Sequence, residues 1–210
     1  MRVEIDGPVG RLVGELEEPD VTPRGLALVC HPHPAHGGSM RNTLVVRVAR
    51  GLRAAGVVTL RFDFRGVGGS AGVHDGTQEI EDAAAAAGEL AQRHPELPLW
   101  AAGYSFGARI AAELAGRDAE VRRLLLIAFP CRLYDPRFLA DTRRPGLIVL
   151  GEKDPFGNAA DLRRALPRLP PDLELVEIPG ADHFFRGRTP LVEEATVRYA
   201  RRAFETSFEK

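Results

Sequence analysis

Lysine is almost missing from this chain: Lys153 and Lys210 are the only two among its 28 basic residues. The rest are arginines scattered among 29 acids, so the formal net charge is −1 and no basic tract forms. That balance excludes a bulk electrostatic pull toward nucleic acid or an anionic membrane surface. Cysteine is scarce too, and Cys30 and Cys131 are too few for a disulfide framework. No stretch approaches the length of apolar residues that a membrane-spanning helix needs. The opening MRVEIDGPVG carries charges at positions 2, 4 and 6 and lacks the apolar centre of a secretory signal. A soluble, cytoplasmic protein is the expectation.

What is present reads as a single α/β domain over 1–210. The chain is 44% hydrophobic and 27% charged, enough apolar material for one sizeable core. Period-two alternation at 11–19 and apolar runs at 25–31, 57–64, 98–104, 121–129, 146–152 and 173–180 predict strands. Helical spacing at 43–56, 77–95, 106–116, 159–169 and 189–208 predicts helices. In the last helix, Thr189 has the character of an N-cap and Pro190 that of a first helical residue. Strand–helix repetition with continuously apolar strands implies a mostly parallel sheet covered by helices on both faces. In such sheets the active site lies at the carboxyl ends of the strands.

One of those ends carries Gly103-Tyr104-Ser105-Phe106-Gly107. A G-x-S-x-G pentapeptide alone is common, so its meaning depends on partners. A serine hydroxyl is a poor nucleophile at neutral pH and needs a histidine base oriented by an acid. Past Ser105, LIVLGEKDPFG places Asp154 just beyond one strand, and LVEIPGADHFF places His183 just beyond the next. His183 is the only histidine after Ser105. Three strand ends thus supply serine, acid and histidine in one chain order. Asp135, beyond the strand that ends near residue 129, is an alternative acid.

These stretches resemble the α/β-hydrolase superfamily from about residue 10 onward. GYSFGA is similar to its nucleophile elbow, GEKDPF to its acid loop, GADHFF to its histidine loop, and RFDFRGVGGSAG to its D-x-R-G-x-G-x-S stretch. CHPHPAHGGSM resembles the C-H-P-H-P signature of small bacterial serine hydrolases related to dienelactone hydrolases. The resemblance implies an α/β-hydrolase fold and acyl hydrolysis by Ser105, Asp154 and His183, with no cofactor or metal and a small-molecule ester as partner. It leaves thioesters, amides and acyl transfer open. Dienelactone hydrolases carry cysteine at the elbow where this chain has Ser105, which counts against dienelactone as substrate. In the superfamily two backbone N–H groups hold the oxyanion, one from the residue after the nucleophile and one from the loop after an early strand. Pro32 and Pro34 have no N–H to give, so the resemblance assigns this role to His33 and Phe106. A lid, where these proteins have one, commonly follows the strand that here ends near Phe129. Only PCRLYDPRFLADTRRP lies there, room for a short helix and no cap domain.

Three other readings compete. His31, His33 and His36 have spacing suggestive of zinc ligands, although the intervening prolines restrict their convergence. GVGGSA at 66–71 fits a weak dinucleotide fingerprint, displaced from the first strand–helix unit where that fingerprint belongs. The third is a hydrolase fold used only for binding.

Overall fold

A computed structural model describes residues 1–205. Its strands are β1 (Arg2–Gly7), β2 (Gly10–Glu17), β3 (Gly25–Cys30), β4 (Val57–Asp63), β5 (Leu99–Tyr104), β6 (Val121–Ile127), β7 (Gly146–Gly151) and β8 (Leu173–Ile178). The helices are α1 (Thr43–Arg53), α2 (Glu79–Arg93), α3 (Phe106–Arg117), α4 (Ala159–Ala165) and α5 (Thr189–Glu205). All eight strands join one sheet in the order β1-β2-β4-β3-β5-β6-β7-β8. β2 runs antiparallel to both β1 and β4, and the pairs from β4 through β8 are parallel.

β3 and β7 are apolar at every position because both of their faces are covered. In β3, Leu26, Leu28 and Cys30 join the core beneath α2 and α3, while Ala27 and Val29 join the core beneath α1 and α5. β6 and β7 divide the same way, with Leu124, Leu126 and Ile148 on one side and Leu125, Ile127 and Leu147 on the other. Among the described residues no cap domain interrupts this two-layered wrap. The segment between β6 and β7 holds a 3-10 turn, Pro136–Asp141, whose leading residue Asp135 accepts the Arg137 N–H. No helix of the described residues is long and apolar enough to cross a membrane.

The structure corrects the expected elements at several places. A strand, β1, precedes the first expected one and forms a hairpin with β2, burying Val3 and Ile5 on one face. The helix expected over 159–169 ends at Ala165, two residues before Pro167, whose missing N–H and bulky ring break a helix. Thr189 is already the first residue of α5 rather than its cap. The last part of the expected helix, 206–208, lies outside the described residues.

Candidate active site

Ser105 stands between the end of β5 and the start of α3, at φ 56° and ψ −118°. That is an unfavourable backbone region for a residue with a Cβ and costs on the order of 1–3 kcal/mol. Its two glycines are required by close approach. A Cβ at Gly103 would run into the Gly107 carbonyl, and one at Gly107 would run into the carbonyls of Cys30 and His31. The turn is pinned from the neighbouring strand, since the Ser105 N–H donates to the Ile127 carbonyl at 2.8 Å. Among the described residues, the other non-glycine residues with positive φ are Ala128 and Phe185. Ala128 follows β6 and Phe185 closes the turn carrying His183. Backbone strain therefore gathers at this edge of the sheet.

The Ser105 hydroxyl lies 2.9 Å from His183 Nε2, and His183 Nδ1 lies 2.7 Å from Asp154 Oδ2. An ionised carboxylate only accepts, so Nδ1 carries the proton and Nε2 is free to accept from the serine. Asp154 is held in turn, with Oδ1 accepting the Phe156 N–H at 2.8 Å. Asp154 and His183 are buried while Ser105 is half-buried, so only the serine end of the chain opens outward. The His183 ring packs among Phe156, Phe184 and Tyr104, at centroid distances of 4.7, 5.5 and 5.6 Å. Tyr104 also donates its hydroxyl to the His183 carbonyl at 3.1 Å, fixing the histidine loop from below. Asp135 is elsewhere: it is exposed and paired with Arg137, which holds its carboxyl below the usual range. Asp182 turns back on its own loop, accepting the N–H groups of Phe184 and Arg186.

On the opposite wall, His33 and Phe106 line the same cavity as Ser105 and His183. Among the described residues neither the His33 nor the Phe106 backbone N–H has an acceptor. Phe106 is also the first residue of α3, where the helix dipole favours negative charge. The His33 ring accepts the Ala35 N–H and packs against His74 at 4.8 Å and Phe106 at 5.0 Å. His74 donates to buried Glu79, which also accepts the Asp75 and Gly76 N–H groups. Burial raises the Glu79 pKa, yet its own backbone N–H and these donors together bring it below the ordinary value. This prop behind His33 has no signature in the sequence, because only the fold brings residues 33, 74 and 79 together.

The zinc and dinucleotide readings meet a different geometry. Both His31 nitrogens are used by the backbone, with Nε2 accepting the Phe64 N–H and Nδ1 donating to the Pro32 carbonyl. Among the described residues no three His, Cys, Asp or Glu side chains are placed to share a metal. The turn over 66–71 folds back on β4. Gly66 N–H bonds to the Ala71 carbonyl, and the Ser70 hydroxyl joins the Asp63 carbonyl to the Val13 N–H.

The cavity over Ser105 encloses about 370 Å³. A larger groove of about 570 Å³ runs along α1 and α5 between arginines and glutamates, but it shares no residue with the site and holds no nucleophile. The family model for the alpha/beta hydrolase domain matches residues 26–206. An uncharacterised protein of Rickettsia prowazekii is 36% identical over 208 residues, covering 94% of this chain and 87% of that protein. A solved alpha-beta serine hydrolase homologue from Coxiella burnetii is 35% identical, with a TM-score of 0.88 over 95% of this chain and 96% of that one. An α/β serine hydrolase without a lid from Xanthomonas campestris is 34% identical, with a TM-score of 0.87 over 97% of this chain and 94% of that one. The chain belongs to the alpha/beta hydrolase domain family.

Proposed function

We propose that this protein is a serine hydrolase that cleaves small carboxylic esters with short acyl groups through an acyl-enzyme intermediate. The observation that carries the reading is the hydrogen-bonded chain from Ser105 through His183 to Asp154. As the Ser105 hydroxyl attacks the substrate carbonyl, His183 Nε2 takes its proton, and Asp154 stabilises the imidazolium through Nδ1. The backbone N–H groups of His33 and Phe106 hold the oxyanion that forms on the former carbonyl oxygen. Collapse of this intermediate returns the proton from His183 to the departing alcohol. Water, deprotonated by the same nitrogen, then releases the acid and restores Ser105. Each proton is accounted for by His183, so no step calls on a metal or cofactor.

The short-acyl preference follows from the uncovered site. The chain between β6 and β7 adds no cap, and about 370 Å³ is near the small end of ligand sites. Each methylene of a long acyl chain gains only about 0.8 kcal/mol when buried, and no cap extends the wall beyond this cavity to bury more of them. A series of p-nitrophenyl esters tests this. The expected kcat/KM peaks at acetyl to butyryl and falls at longer chains, with no jump above the solubility limit. A maximum at long-chain acyl groups would remove the short-acyl assignment.

A further inference from the structure

Building on the serine-hydrolase reading, we propose that the site selects uncharged esters with a flat apolar group and discriminates against esters bearing a carboxylate. Its walls are aromatic. Phe156 and Phe184 flank His183, and Tyr134 and Leu133 line the same opening. Phe156, Phe184 and Leu133 are 37%, 52% and 64% exposed, a concentration of apolar surface at one opening. A ring entering there covers that surface and meets aromatic edges and faces, a geometry worth more than its area alone.

Charge is what this cavity does not offer. Among the described residues lining it there is no Lys, Arg, Asp or Glu. Two guanidiniums approach the rings from outside, and both are engaged. Arg109 lies 5.0 Å from the Tyr134 ring centroid and bonds to Glu113 and the Gly76 carbonyl. Arg186 lies 4.8 Å from the Phe184 ring centroid and bonds to Asp182. Of the imidazoles at the rim, His33 is held below the ordinary histidine range by burial and by its neighbours His74 and His36. A carboxylate drawn into this cavity loses hydration and gains no fixed counter-charge. A neutral ring loses nothing comparable.

The test compares 4-acetoxyphenylacetate with its methyl ester, following release of the phenol. The methylene insulates the phenolic oxygen from the carboxylate, so the two acetates have closely matched intrinsic reactivity. The expected kcat/KM favours the methyl ester by at least about 30-fold, mostly through KM. Leu133→Arg places a cation at the exposed rim and should narrow that ratio at least about fivefold by improving the anion. Equal values for the two acetates, or preference for the anion, overturn the inference while leaving the serine-hydrolase reading in place. No turnover of either acetate, together with no labelling of Ser105 by a fluorophosphonate, overturns both.

Discussion

His31 and His183 are both buried imidazoles at the carboxyl edge of the same sheet, yet they are wired for opposite purposes. His31 follows β3, and each of its nitrogens meets backbone: the Phe64 N–H on one side and the Pro32 carbonyl on the other. Burial lowers its pKa to about 4, so it stays neutral and ties the loop after β3 to the end of β4. His183 meets two side chains, a buried carboxylate and a half-exposed hydroxyl. The first partner stabilises the protonated ring, and the second can give up a proton. What separates a structural imidazole from one fit for proton transfer is therefore the identity of its two partners. Burial alone does not distinguish them.

Substitutions break this comparison in graded steps. His183→Gln should have the largest effect, lowering kcat on p-nitrophenyl acetate by on the order of 10⁴–10⁶-fold with the unfolding midpoint little changed. Asp154→Asn comes next, near 10⁴-fold as an order of magnitude, because the amide would favour the wrong tautomer of His183. Asp135→Asn should leave kcat within about twofold, since its carboxylate serves Arg137 at the surface. A large loss at Asp135 with a mild one at Asp154 would move the acid to the other strand end.

The matching experiment on His31 reads stability. Its folded pKa lies below its unfolded value of 6.5, so the unfolded chain binds the extra proton first. The stabilisation is complete above pH 6.5 and drains away as pH falls toward 4, by about 3 kcal/mol in all. Urea unfolding from pH 7.5 to 4.5 should show that decline in the natural protein. His31→Gln should be less stable at pH 7.5 and lose less over the same interval. Parallel curves for the two proteins would show that His31 does not titrate in this way.

Much of this was legible before the fold was known, for identifiable reasons. The order Ser105, Asp154, His183 could be read because each residue follows an apolar strand, and parallel strands bring their carboxyl ends to one edge. The continuous apolar runs of β3 and β7 likewise point to two covered faces. β1 was missed because its alternation is short and its outward residues are charged; only Val3 and Ile5 face the core. Tyr104, Phe156 and Phe184 lie within the motif stretches, but their packing around His183 depends on how three loops meet. The links from His33 to His74 and Glu79 are equally long-range. Local pattern locates candidate groups, and tertiary structure decides what surrounds them.

The most direct test of the account is labelling with a fluorophosphonate, followed by mapping of the modified peptide by mass spectrometry. The account predicts one adduct per chain, on Ser105, formed at a rate that collapses in His183→Gln and absent from Ser105→Ala. An unlabelled natural protein, or an adduct elsewhere that persists in Ser105→Ala, would contradict it.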